Sequence, residues 1–305
     1  MKRVPPKYRF SIVIPCFDEA NYIGSALKSL KKQDTTAKFE IIVVDNNCSD
    51  MTAEIARSYG AKIIKESRPG VCYARQAGTN AARGEIIVST DADTTFDRSW
   101  LRRIDEQFNK DNLLVAVGGP CRYSDGPWWG KVYTHFLFGG SALHTKITGH
   151  PFYLTATNIA FKKSVWTGYN LEITQGGDEL DLLHRLRKQG RVKFNNSNPT
   201  YTSARRLEKG MFYNIFVTYL FYYLGAYYLD RMFNRPIIGS APAFRQSGTQ
   251  ATRNRIALRS TLISVSVLAI IIISSHTRNF VVDNVNDTVA FVKDTVKIIS
   301  TDLQV

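Results

Sequence analysis

The sequence predicts an α/β fold with a mainly parallel sheet and helices on both faces, and three observations predict it. Short β-rich apolar runs alternate with segments of helical periodicity through the first 120 residues. Cap and turn residues stand at the joints between them. The composition is that of a globular chain: of 305 residues 44% are hydrophobic and 22% charged, with 10 Pro and 20 Gly, which excludes a disordered or collagenous chain.

Taken in order, the strands are expected at 10–14, 40–44, 61–65, 85–89 and 113–117, and the helices at 21–32, 50–59, 71–82 and 99–108. Ser49 is placed to cap the second helix, Gly60 to end it, and Gly70 to open the third. This βαβα rhythm builds a parallel sheet. Residues 118–176 read as less regular, with several Gly and the aromatics Trp128, Trp129, Tyr133, Phe136 and Phe138. A helix at 178–189 ends at Gly190 and leads to a strand at 191–194.

Beyond residue 210 the composition changes. Residues 211–229 carry no formal charge until the segment ends and hold six Tyr, which favour a membrane interface; residues 256–275 are almost wholly apolar around Arg259. Between 200 and 260 nine basic residues face two acidic ones, so half of the formal +14 lies in one fifth of the chain. Basic loops stay on the cytoplasmic side, so two spans would export an arginine-rich loop. The preferred reading is an interfacial or spanning helix at about 211–229 and a transmembrane helix at about 257–275. The chain then divides into a catalytic body (1–207), a membrane-associated region (208–275) and a tail (276–305). Cys16, Cys48, Cys72 and Cys121 lack zinc or disulfide spacing, and the basic amino terminus lacks the apolar run of a secretory signal, so the body is expected on the cytoplasmic side of the cell membrane.

The positive charge permits a nucleic-acid partner, but the excess adjoins an apolar segment instead of interleaving with aromatics on the body, so no nucleic acid is expected. A dinucleotide oxidoreductase would want a Gly-x-Gly-x-x-Gly turn after the first strand, where the chain reads PCFDEANYIG. Anionic membrane lipids suit the basic region better.

Acids gather at the expected carboxyl ends of strands, the edge at which open α/β sheets bind ligands. In STDAD, period-two alternation would aim Asp91 and Asp93 to one side, able to share a divalent cation or to divide a cation and a ribose hydroxyl. Asp45 ends the run EIIVV, where a carboxylate accepts from a base imino group or merely closes a turn. Pro15, Phe17 and Glu19 form a rigid turn with an aromatic face, and Arg75 sits in a helix of small residues. Asp178, Glu179 and Asp181 open the last helix, where acids serve the helix dipole or act as a base. Trp128, Trp129, His150 and Tyr153 are expected mainly as buried packing.

Together these segments resemble glycosyltransferase family 2, the inverting nucleotide-sugar enzymes of GT-A fold. VIPCFDEANYI is similar to the family's opening strand and turn, and VVDNNCSDMT matches Val-Val-Asp-Asp-Gly-Ser-x-Asp-x-Thr in register. GVCYARQAGTNAARGEIIVSTDAD resembles the Ala-Arg-Asn-x-Gly helix with its Asp-x-Asp strand, and GGDELDLLHRLRKQG the Glu-Asp-x-Asp-Leu-x-x-Arg-Leu helix.

The resemblance implies a GT-A nucleotide-diphospho-sugar transferase fold, a UDP-, GDP- or dTDP-sugar donor and bound Mg2+ or Mn2+. It assigns Pro15, Phe17, Glu19, Asp45 and Arg75 to the nucleoside, Asp91 and Asp93 to ribose, diphosphate and metal, and Glu179 to the base, with Asp178 the alternative because the acid order is reversed. Thr157 and Asn158 fall on the acceptor side. SARRLEKG stands where processive synthases carry Gln-x-x-Arg-Trp, which implies single-sugar transfer with Arg205 or Arg206 on the diphosphate. A lipid-linked or surface-glycan acceptor is expected. A catalytically silent membrane scaffold and a nucleotide- or nucleic-acid-binding protein are the alternatives.

Overall fold

The structure is a computed structural model that describes residues 7–172, 178–216 and 218. The chain runs through β1 (Tyr8–Cys16), α1 (Ala20–Lys31), β2 (Phe39–Asp45), α2 (Thr52–Ser58), β3 (Lys62–Lys65), α3 (Val71–Ala81) and β4 (Gly84–Ser89). It continues with β5 (Thr94–Phe96), α4 (Trp100–Lys110), β6 (Leu114–Gly118), β7 (Cys121–Tyr123), α5 (Trp128–Thr148) and β8 (Ile159–Lys162). It closes with α6 (Asp178–Arg187), β9 (Arg191–Phe194), β10 (Thr200–Thr202) and a 3-10 turn, Ala204–Lys209.

Seven strands form one sheet in the order β3-β2-β1-β4-β8-β6-β9. The pairs among β3, β2, β1 and β4 are parallel; β8 lies antiparallel between β4 and β6, and β9 pairs parallel with β6. Period-two alternation splits each central strand between two cores. Ile12, Ile14, Ile41, Val43, Ile86 and Val88 pack with α1 and α4 on one face; Val13, Ile42, Val44 and Ile87 pack with α3 and α6 on the other. Strands buried on both faces read as unbroken apolar runs, which is why the periodicity was so legible.

Three features differ from expectation. The irregular stretch contains α5, a 21-residue helix, because Gly139 and Gly140 lower helix propensity without breaking it. The central antiparallel strand β8 is four residues long and too short to announce itself. Ser49 does not cap α2: its N–H and hydroxyl both donate to Asp18, and Asp50 accepts from the Thr52 N–H instead. Gly60, by contrast, ends α2 in the left-handed region at φ 76°.

A second sheet has three short strands in the order β5-β10-β7. No helix among the described residues is long and apolar enough to cross a membrane. The expected span at 257–275 and the tail at 276–305 lie outside the described residues, as does 219–229 of the earlier segment.

Candidate active site

The strand order reverses direction at β1, which leads to β2 on one side and neighbours β4 on the other. A crevice opens beyond the carboxyl ends of strands at such a switch point. Register fixes what lies there: Pro15 is level with Val44, Cys16 with Asp45, and Val13 with Ser89. Pro15, Asp45 and the Asp91–Asp93 turn therefore share one rim. Phe17 is 41% exposed on it, an aromatic surface held out of the core.

Asp45 Oδ1 accepts from the Cys48 N–H at 2.9 Å, which closes the β2 turn. Behind it Asn46 is buried: its Nδ2 donates to the carbonyls of Glu66 and Arg68, each at 2.7 Å, and its Oδ1 accepts from the Gly70 N–H at 3.0 Å. That clamp fixes the loop into α3. Gly70 enters the helix at φ 135°, a conformation an L side chain rarely adopts. One turn past Arg75, a Cβ on Gly78 would stand 2.4 Å from Val13 Cγ1 and 2.8 Å from Val44 Cγ2, so only glycine lets α3 lie this close to the sheet.

Arg75 is thereby carried under the rim, 5% exposed, and its two terminal nitrogens reach different elements. One donates to Asp91 Oδ1 at 3.0 Å and the other to Asp178 Oδ2 at 2.5 Å. Asp91 Oδ2 accepts from the Thr157 hydroxyl at 2.7 Å. Burial alone would raise the Asp91 carboxyl, but Arg75, then Arg206 and the Thr157 hydrogen bond hold it below its ordinary value, as an anion.

The two aspartates are not on the strand itself. The chain leaves β4 at Ser89, and both lie in the turn to β5, so tertiary partners aim them instead of strand alternation. Asp93 Oδ1 accepts from Thr202 Oγ1 at 2.9 Å, and the Ser203 N–H donates to the Asp93 carbonyl at 3.2 Å, both from β10 and the residue after it. Asp93 Oδ2 lies 2.9 Å from Arg205. The same guanidinium donates to both Glu19 oxygens, at 2.9 and 2.7 Å, and stacks 4.5 Å over the Tyr22 ring. Arg205 is thus the counter-ion of Glu19 and Asp93, whereas Arg206 is exposed.

The two acids that open α6 have separate environments. Asp178 is 6% exposed and ion-paired to Arg75. Glu179 Oε2 is shielded from solvent and has no hydrogen-bond partner among the described residues. Burial first, then the neighbouring Asp178 charge, push the Glu179 carboxyl well above its ordinary value against the pull of Arg75. The ion pair of one acid with Arg75 and the raised carboxyl of the other set the two apart, which is how a pair of acids divides into counter-ion and base.

Thr157 meets the site through Asp91. Asn158 is 2% exposed and committed to the frame: it accepts from Trp100 Nε1 at 3.0 Å and donates to the carbonyls of Pro120 and Asn198. Trp128, expected as packing, is 76% exposed at the start of α5. Asn46, Thr202 and Gln76, which accepts from the Tyr169 N–H at 2.8 Å, are positioning residues that motif reading passed over. Asp18, Cys48 and Asp50 also bring ligand atoms within 4.8 Å of one another. There Asp18 accepts from Ser49 and Asp50 from Ala20 and Thr52, so the group joins two loops.

Residues 11–168 match the family model described as glycosyl transferase family 2. The uncharacterized glycosyltransferase Rv0539 of Mycobacterium tuberculosis is 31% identical over 125 residues, which is 41% of this chain and 55% of that protein. The poly(ribitol-phosphate) beta-N-acetylglucosaminyltransferase TarS of Staphylococcus aureus is 30% identical over 122 residues, 36% of this chain and 21% of that protein. The match thus spans about half or less of the length of these relatives. Among solved structures, the mannosyltransferase PcManGT from Pyrobaculum calidifontis, in complex with GDP-Man and Mn2+, has a TM-score of 0.57 at 18% identity over 87% of this chain and 76% of that one. S. aureus TarS 1–349 in complex with UDP-GlcNAc has a TM-score of 0.51 at 20% identity over 65% and 59%. At these identities the likeness concerns the fold.

Proposed function

The chain belongs to glycosyl transferase family 2, and from that premise we propose that it transfers a single sugar, with inversion, from a nucleoside-diphosphate sugar to a lipid-linked or surface-glycan acceptor. The observation that carries this reading is the Arg75 bridge. It ties Asp91, on the donor side of the rim, to Asp178, beside the base, so that two sequence motifs 87 residues apart meet on one cation.

The nucleoside lies along Pro15, Phe17 and Asp45 at the ends of β1 and β2. The Asp45 carboxylate, oriented by Cys48, faces base polar groups, and the exposed Phe17 ring offers a stacking face. Arg206 is the exposed cation for the diphosphate, while Arg205 first serves Glu19 and Asp93.

The donor set suits a hard divalent cation. Asp91 and Asp93 offer carboxylate oxygens, Asp91 is held ionised, and each is oriented by a hydroxyl, from Thr157 and Thr202. Asp91 and Asp93 would hold Mg2+ or Mn2+, which supplies charge neutralisation to the departing nucleoside diphosphate. The charge at Asp93 is balanced meanwhile by Arg205.

In the reaction the acceptor oxygen attacks the anomeric carbon from the face opposite the diphosphate. The new carbon–oxygen bond forms as the bond to the diphosphate oxygen breaks and takes its electron pair away. Glu179, ionised in the reacting complex, accepts the acceptor's hydroxyl proton. Arg75 holds Asp178 and Asp91 in place and moderates the negative charge around Glu179.

The apolar and basic carboxyl-terminal region anchors this body to the cell membrane, facing cytoplasmic sugar nucleotides. The test is a donor screen of the detergent-solubilised full chain with Mg2+ or Mn2+, reading release of UDP, GDP or dTDP. Release lost in Asp93→Ala and in Glu179→Ala, with folding kept, supports a transferase. No release from any donor supports the silent scaffold, and release unchanged in both variants would overturn the roles given to Asp93 and Glu179.

A further inference from the structure

The α5 helix is amphipathic the wrong way round for a water-facing element. Its buried positions are Gly130, Thr134, Phe138 and Ser141, mostly small or polar. Its large apolar residues point outward: Trp128 is 76% exposed, Phe136 74%, Ile147 74%, Leu143 59% and Val132 43%. They fall at steps of four and seven residues, a single stripe along the helix. At 1.5 Å per residue the stripe is about 30 Å long. Gly139 and Gly140 are exposed in its middle, and a Cβ on Gly139 would meet nothing within 4 Å, so the face is flat there.

Charge selects the occupant. The exposed face also carries Lys131, His135 and Lys146, and from Gly126 to Leu171 the sequence contains no Asp or Glu. An apolar stripe on a helix that itself carries only basic charges fits the headgroup boundary of an anionic bilayer, where side chains enter the acyl region and lysines meet lipid phosphates. A second element continues it. A Cβ on Gly130 would stand 2.3 Å from Leu207 Cδ1, so α5 begins against the Ala204–Lys209 turn, from which Met211 and the exposed Phe212 and Phe216 emerge.

We propose that the outer face of α5 lies in the plane of an anionic membrane, with Trp128, Phe136, Leu143 and Ile147 inserted at the acyl boundary. This membrane contact is separate from the carboxyl-terminal segments. The helix joins β7 to the Thr157 segment, so such a contact sets the acceptor side of the rim against the lipid surface. Lipid contact at α5 does not require that the chain transfer sugar.

The test uses the full chain in vesicles of phosphatidylcholine with about one third phosphatidylglycerol. Phe136 or Leu143 is replaced by the photoreactive benzoylphenylalanine, and half-exposed Glu106 on α4 serves as control. The expected result is a phospholipid adduct by mass at 136 and 143, none at 106, and several-fold less adduct in vesicles of phosphatidylcholine alone. A covalent dimer would overturn the proposal in favour of a second copy, and a cross-link to residues 256–275 in favour of the chain's own tail. Absence of any adduct would overturn it in favour of a face open to water. Flotation of the same samples reads carboxyl-terminal anchoring by itself, and nucleoside-diphosphate release reads catalysis, so failure of either is told apart from failure at α5.

Discussion

At the scale of single residues the acids of α6 make a sharp prediction. Glu179→Gln keeps the carboxyl's shape but cannot accept the proton, so kcat should fall about 10²–10⁴-fold. The Glu179 carboxyl is raised in the folded state, so transfer should increase with pH along a limb above the ordinary carboxylate range. Asp178→Asn removes the neighbouring charge that helps raise it, so that limb should move to lower pH with activity retained in part, a distinction read from pH–rate profiles. Stability carries the opposite sign. A raised acid favours the fold fully below its unfolded pKa, and that contribution is lost as pH rises towards the folded value. Glu179→Gln escapes the loss, so its Tm should equal or exceed that of the parent at neutral pH. Asn46 shows how a departure from the family motif is absorbed. Its amide donates to two carbonyls, which the family's Asp could not do as an anion. Asn46→Asp should cost about 1–3 kcal/mol, measured by chemical denaturation. Asn47 stands where the family motif has Gly, and Asp18 and Asn47 are both at positive φ, 52° and 67°, which these side chains tolerate.

At the scale of elements, α3 and β10 are the parts that present the site. The helix must lie against Val13 and Val44 to bring Arg75 beneath the rim, and Gly78 permits that approach. Gly78→Ala should overpack this contact, costing about 1–3 kcal/mol in a denaturant titration. It should also weaken donor binding, because Arg75 lies one turn away and moves with the helix. β10 acts from the far end of the chain: Thr202 and the neighbouring Arg205 converge on Asp93, 109 residues away for the former. The antiparallel β8 works similarly, since its preceding 3-10 turn, Ala156–Asn158, delivers Thr157 to Asp91 while Asn158 is bonded to Trp100. In each case a short element is held by backbone pairing on both sides, and a side chain at or next to its end reaches the rim.

For the molecule as a whole, the charges at the rim are shared between elements far apart in sequence. Arg75 and Arg205 together face Asp91, Asp178, Glu19 and Asp93. With a divalent cation held by the aspartates as proposed, chelation with EDTA should abolish nucleoside-diphosphate release, and Mn2+ or Mg2+ should restore it. The sequence by itself determined the alternating strands and helices from β1 to α4, because strands covered on both faces must be apolar throughout and the glycines between them punctuate their turns. It also determined the acids at the strand ends, where a ligand edge needs them. The tertiary structure alone decided how the acids of the rim and of α6 are paired. Asp178 and Glu179 are adjacent letters of similar chemistry, and they are separated only by the ion pair of the first with an arginine 103 positions earlier and by the second's shielded Oε2, which has no hydrogen-bond partner among the described residues. The outward apolar face of α5 was likewise hidden, because a run of aromatics, glycines and lysines does not say which side of a helix meets its own protein until the neighbouring elements have claimed the other.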